Sequence, residues 1–257
     1  MPGRRVRAVP DRGVSAADAL PPAPAPGELR LTAADGHVVS AYRVRPGGNS
    51  LGAIVLLHEI FGLNAHIREV CDDYARRGFA VVAPALFDRV RPGVALGYAA
   101  EDVETGRALR LAIPLHQTLL DVQAALAAAG ADGAVAAIGY CWGGSLAFLA
   151  ATRLTGLACA VSYYGAQTMP FVAERPGVPM LMHFGEHDPR FPAVDRQTVR
   201  RHHPAIEMHL FPADHNFNCD HREAFHAPRA EAARALTLDF LGRHLGVGES
   251  RTFIAQP

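Results

Sequence analysis

Four side chains capable of covalent or proton-transfer chemistry each follow an apolar run. Glu59 comes after "AIVLLH", Cys141 after "AVAAIGY", Asp188 after "MLMHFGEH", and His215 just past "EMHLFPAD". A thiol, a histidine and a carboxylate can together perform nucleophilic catalysis: the thiolate attacks, the imidazole takes and returns protons, and the carboxylate holds its tautomer. Taken alone, Cys141 could equally be a buried filler beside glycines or a redox thiol. Its setting in "GYCWGG" favours the nucleophile. Gly139 and Gly143, two positions either side, give the crowded backbone the room that a strand-to-helix elbow needs, with cysteine where serine is more usual. A nucleophile at such a bend projects above the sheet at a helix N-terminus, where amide groups and the helix dipole favour a thiolate and a developing oxyanion. Asp214 competes with Asp188 for the acid role, but as the neighbour of His215 it cannot easily reach back to the ring.

These residues need a scaffold that gathers the ends of several strands. From Glu28, "ELRLTAADGHVVSAYRVRP" alternates around Asp35-Gly36, a hairpin signal. "LGAIVLLHEIFG", a helical pattern ending at Gly78 and a second apolar strand then form one β-α-β unit. A Pro/Gly-containing excursion over residues 89–106 precedes a Leu/Ala-rich helical pattern over 107–129, with a break expected near Pro114. Strand and helix patterns alternate from there to a final helix, "PRAEAARALTLDFLGRHL". Strands apolar throughout and alternating with helices predict a mainly parallel central sheet with helices on both faces, joined to an antiparallel N-terminal hairpin. Ligands in such folds sit at the carboxyl ends of strands, where the four residues fall.

Composition narrows the partners. The chain has 257 residues, enough for one large α/β domain, and carries 25 basic against 25 acidic residues. No basic field is available for nucleic acid or an anionic membrane, and a small neutral or weakly charged ligand fits better. The four cysteines form no C-x-x-C pair, so a reduced, cytoplasmic protein is expected, with Cys71 and Cys159 as core residues. No run is long enough to span a membrane. Residues 1–27 are rich in Arg, Pro and Ala without periodicity and read as a mobile tail lacking a secretory apolar core; a mitochondrial-type targeting segment is the alternative. Residues 28–257 read as a single domain. "DHNFNCDH" crowds His215, Cys219 and His221 at a spacing loosely compatible with metal ligands. The loop is already explained by the histidine base and no second ligand pair is evident, so no metal and no organic cofactor is expected. His58 and His183 are expected as buried, hydrogen-bonded histidines.

"LLHEIFGLN", "GYCWGGSLAF", "SYYG", "HFGEHDPRFP" and "ADHNFNCD", in this order, resemble the dienelactone hydrolase (carboxymethylenebutenolidase) family of the α/β-hydrolase superfamily. The resemblance covers nearly all of the chain beyond the tail. It implies an α/β-hydrolase fold and a cysteine-dependent hydrolase of a small ester or lactone, acting through an acyl-thioester. Cys141 would be the nucleophile, His215 the base and acid, Asp188 the orienting carboxylate, and Glu59 the glutamate beside the thiol. The backbone N–H groups of Ile60 and Trp142 would form the oxyanion hole. Tyr163, Tyr164 and Phe217 are expected to line or support the pocket. The resemblance also implies arginines that grip a substrate carboxylate, and here the sequence departs from it. The position four residues after His215 holds Cys219, and the other arginine falls on Arg107 or, in an ungapped comparison, on Glu104. A thioesterase, a broad carboxylesterase or an acyltransferase on the same site, and a ligand-binding protein on a hydrolase scaffold, are the competing expectations. Oligomeric state is not legible.

Overall fold

The computed structural model describes residues 25–246. Of the tail expected over residues 1–27, residues 1–24 lie outside the described residues, and Gly27 already opens the first strand. Eight strands follow in chain order: β1 (Gly27–Thr32), β2 (Val38–Val44), β3 (Ala53–Leu57), β4 (Ala80–Pro84), β5 (Val135–Tyr140), β6 (Cys159–Tyr163), β7 (Met180–Gly185) and β8 (Glu207–Phe211). They form one sheet in the order β1-β2-β4-β3-β5-β6-β7-β8. β1 and β2 pair antiparallel around the Asp35-Gly36 turn, β2 is antiparallel to β4, and every pair from β4 to β8 is parallel. Buried on both faces, β3, β4, β5, β6 and β7 are the continuously apolar runs of the sequence.

Six helices cover the sheet: α1 (Ala65–Arg76), α2 (Ala100–Ala112), α3 (Leu115–Ala129), α4 (Trp142–Arg153), α5 (Ala193–His202) and α6 (Ala227–His244). The crossover through α1 runs from β3 outward to β4, whereas those through α3 and α4 run the other way, from β4 to β5 and from β5 to β6. Right-handed crossovers in opposite directions put their helices on opposite faces. Accordingly α3 packs on α4, while α1 is tied to α6 by Arg234–Asp73 (3.6 Å). Asn64 caps α1 by accepting from the Ile67 amide (3.2 Å), and Gly78, at φ 99°, turns the chain into β4. Cys71 and Cys159 are fully buried core residues and all four cysteines are free. No helix among the described residues is long and apolar enough to cross a membrane.

One boundary differs from the sequence expectation. The break at Pro114 is present, but α2 begins at Ala100, inside the segment expected to be irregular to residue 106. Asp102 accepts from the Ala99 amide (3.1 Å), and with Glu101 it puts negative charge in the first turn, where the helix dipole welcomes it. The weak apolar periodicity of this helix concealed its start.

The loop after β4 is anchored by Arg89, whose guanidinium bonds Asp121 of α3 twice at 2.8 Å and Asp35 of the hairpin at 2.7 and 3.2 Å. The Asp121 carboxylate is wholly buried, and burial pushes its carboxyl up while Arg89 draws it back. Arg89→Ala leaves that carboxylate unpaired inside the protein, and is expected to lower unfolding free energy by about 3 kcal/mol in urea titrations. A loss below about 1 kcal/mol would mean the pair is not what holds the hairpin and loop to α3.

Candidate active site

Cys141 sits between β5 and α4 at φ 53° and ψ −113°, a conformation rarely adopted by residues with a Cβ. The elbow depends on two glycines at close backbone approach. A Cβ on Gly139 would lie 1.8 Å from the Gly143 carbonyl oxygen, and one on Gly143 would lie 2.0 Å from the Leu57 carbonyl oxygen. The turn is held to β6 by the Cys141 amide, which donates to the Tyr163 carbonyl (3.0 Å). The helix dipole of α4 therefore begins beside the thiol, and the Trp142 backbone N–H favours the thiolate form.

The other three candidates converge on this sulfur. His215 Nε2 is 3.3 Å from Cys141 Sγ, and His215 Nδ1 is 2.6 Å from Asp188 Oδ2. Asp188 is itself fixed by the Arg190 amide, which donates to its Oδ1 (2.9 Å), while Asp214 is exposed and takes no part. Burial is the main influence on His215 and lowers its pKa, with Asp188 pulling the other way. The ring is therefore neutral and able to accept a proton near neutral pH. Glu59 is 1% exposed on the loop after β3, and its Oε2 has no hydrogen-bond partner among the described residues. Burial pushes its carboxyl up to about 7 against the pull of Arg222 and Arg190. The Cys141 thiol is pushed up to about 12, by burial first and by Glu59 second. Like-charge repulsion from Glu59 is thus real but subordinate to desolvation.

The remaining sequence candidates divide. Ile60 follows Glu59 on the loop after β3 and Trp142 opens α4, so the two amides expected of an oxyanion hole come from separate elements. The Trp142 ring stacks on Phe87 (5.3 Å) and is buried. Tyr164 and Phe217 are fully buried behind His215, with the Tyr164 ring 5.1 Å from the imidazole and 5.7 Å from Phe217. They support the base. Tyr163 is placed in the packing beneath α6: its ring stacks on Tyr140 (4.7 Å) and its hydroxyl meets Thr237 of α6 (2.7 Å). Arg107 is exposed on α2 and pairs with Glu104 (2.9 Å), one helical turn away. His58 and His183 are buried and hydrogen-bonded, to Glu59 O and the Leu86 amide and to Thr237 respectively.

Arg222, Asn216 and Tyr98, which sequence reasoning did not single out, complete the surroundings together with Cys219. Arg222 is half-buried over the rings of Tyr98 (5.2 Å) and Phe61 (5.5 Å). Asn216, at φ 65°, is satisfied in the orientation that turns its amide nitrogen toward Glu59 Oε1 (3.1 Å) and its oxygen toward Arg222 Nη1 (3.2 Å). Cys219 donates to the Tyr98 hydroxyl (3.3 Å), and burial pushes its thiol up to about 12. The available signal was the polar cluster after His215, "NFNCDHR", and a tyrosine in the rim excursion.

Comparison with known proteins bears on the family and the fold. Residues 39–245 match the sequence profile of the dienelactone hydrolase family. A carboxymethylenebutenolidase of Pseudomonas putida is 33% identical over 224 residues, covering 83% of this chain and 94% of that protein. Among solved structures, a dienelactone hydrolase-like promiscuous phosphotriesterase from metagenomic libraries superposes with a TM-score of 0.69 at 20% identity, covering 87% of this chain and all of that one. An esterase of Pyrococcus furiosus does so at 0.63 and 16% identity, covering 86% and 94%.

Glu59→Gln is expected to speed alkylation of Cys141 by iodoacetamide. Below about pH 7 the wild-type carboxyl is protonated and neutral like the amide, so the two proteins should react alike. Above it the wild-type carboxylate suppresses the thiolate, so the rate ratio of variant to wild type should rise as pH passes that value. A ratio that stays at or below one would remove Glu59 from control of the thiol.

Proposed function

Because the chain belongs to the dienelactone hydrolase family and is a dienelactone hydrolase-like hydrolase, we propose that it cleaves a small ester or lactone through an acyl-thioester on Cys141. The observation that carries this is the continuous chain Sγ to Nε2 (3.3 Å) and Nδ1 to Oδ2 (2.6 Å), erected at the tip of a strained elbow. His215 Nε2 takes the thiol proton as Cys141 Sγ attacks the substrate carbonyl, forming the C–S bond. The tetrahedral oxyanion is received by the backbone N–H groups of Ile60 and Trp142. As the C–O bond breaks, His215 passes its proton to the departing alkoxide, which in a lactone stays tethered to the acyl group. Water then gives a proton to His215 and its oxygen to the thioester carbon, the C–S bond breaks, and the thiolate recovers the proton. Throughout, Asp188 accepts from Nδ1–H and steadies the imidazolium.

The thiol's raised pKa makes its resting form neutral, so attack requires proton transfer to His215 in the bound complex. This limits oxidation of the empty enzyme, because the thiolate is the oxidisable form. Arg222, cushioned on two aromatic rings beside Glu59, is the cation we assign to an anionic group on the substrate, in place of the arginine that Cys219 displaces.

Intact mass measurement after mixing with a p-nitrophenyl ester should show one acyl group, hydroxylamine-labile and mapped to the Cys141 peptide. Cys141→Ala should lack the adduct, and His215→Ala should lower kcat/KM by about 10²- to 10⁴-fold. An adduct on another residue, or turnover by Cys141→Ala at the wild-type rate, would sink the proposal. A panel of esters, thioesters and lactones separates the acyl classes.

Arg222→Met should raise KM about ten- to a hundredfold for substrates bearing a carboxylate, the weight of one charge-assisted hydrogen bond, while neutral esters change little. Equal effects on both would show that Arg222 acts only through Glu59.

A further inference from the structure

The N-terminal half of α1 presents His66 and Glu69, three residues apart and so on the same side of the helix. The loop that follows His215 brings Asp220 and His221 against them. His66 Nδ1 lies 2.9 Å from Asp220 Oδ1, His221 Nε2 lies 4.0 Å from the same oxygen, and His221 Nε2 lies 2.7 Å from Glu69 Oε2. One ligand atom from each of His66, Asp220 and His221 falls within 4.8 Å of the other two. None of these four residues belongs to the triad, and the chemistry around Cys141 gives no reason for them to meet.

The spacing suits the coordination of a metal ion. Tetrahedral coordination with bonds of about 2.1 Å sets ligand atoms about 3.4 Å apart, and the three measured separations straddle that value. Within the set of His66, Asp220 and His221, small movements of the exposed Asp220 and His221 would equalise the distances, and Glu69, which meets the set through His221, would swing its exposed side chain inward as the fourth ligand. Two imidazoles and two carboxylates match the preferences of a borderline divalent ion and neutralise its charge. His66 is the rigid element, only 2% exposed, and its other nitrogen, Nε2, is buried with no hydrogen-bond partner among the described residues. A cavity of about 740 Å³, lined in part by His66, Glu69 and Asp220, gives an ion access from solvent.

We propose that His66, Glu69, Asp220 and His221 form a binding site for one divalent transition ion of the zinc type. The ion clamps the loop carrying Asn216, Cys219 and Arg222 onto α1. It takes no part in the acyl chemistry, because every ligand lies outside the triad. It stabilises the folded chain, since binding to the native state alone adds to unfolding free energy. The sequence drew attention only to His221, in "DHNFNCDH" and grouped with other partners, because "HIRE" and "DH" are separated by some 150 residues.

Calorimetric titration of the chelator-treated full chain with zinc sulfate tests this. One equivalent is expected to bind, with a rise in melting temperature, and Cys141→Ala should bind equally well, which excludes the catalytic thiol as the ligand. The double variant Glu69→Gln/His221→Ala should bind at least about tenfold more weakly while keeping wild-type ester turnover and circular dichroism. Both residues are exposed, so the fold should survive their replacement. Cobalt(II) should give the intense visible bands of a tetrahedral site in wild type and lose them in the double variant. No stoichiometric binding by wild type, an unchanged affinity in the double variant, or loss of binding in Cys141→Ala would each overturn the proposal.

Discussion

The active site depends on how closely three backbone segments approach one another around Cys141. Gly139 faces Gly143 across the elbow, and Gly143 in turn faces the end of β3, at separations that leave no space for a Cβ. That contact forces Cys141 to φ 53°, lifts its sulfur to the rim of the sheet and starts α4 directly beneath it. It also sets the loop after β3, with Glu59 and Ile60, beside the thiol. The strain stored in one residue is offset by a core buried on both faces of the sheet, which is why so sharp a turn persists.

Charge at the site is balanced by burial more than by pairing. Glu59 and Cys141 are both pushed toward their neutral forms by desolvation, while Arg222 and Arg190 pull each toward ionisation. The result is a thiol that stays protonated at rest beside a carboxyl that titrates near neutrality. A ligand that adds negative charge near Arg222, or excludes water from the pocket, would shift both groups at once. The neutral imidazole of His215 lies between these influences and is kept in register by a single short bond to Asp188.

The segment from His215 to Arg222 makes several separate contacts. His215 reaches the thiol, and Asn216 turns through a left-handed conformation to join Glu59 and Arg222. Asn accepts such a conformation more readily than most residues because its short amide can bond locally. Cys219 packs on Tyr98, and Asp220 and His221 reach across to α1. A loop with so many separate partners behaves as part of the scaffold.

Much of this was legible in the residues themselves. Apolar runs alternating with helical patterns specified the parallel sheet, and the Asp35-Gly36 turn specified the hairpin, because periodicity and turn chemistry are local properties. The reactive residues at strand ends followed, since a parallel sheet gathers the carboxyl ends of its strands on one rim. The start of α2 was hidden because its helix carries little apolar periodicity and relies on acidic capping. Which way a side chain faces, and which distant residue it meets, was decided only by the tertiary structure. Tyr163 turned toward α6, Arg107 turned to Glu104, and Arg222 came to lie on Tyr98 and Phe61. The triad was readable because each member is tied to its own strand end. The cations and the polar cluster on α1 were not, because those contacts form between a loop and segments far away along the chain, whose approach no local pattern records.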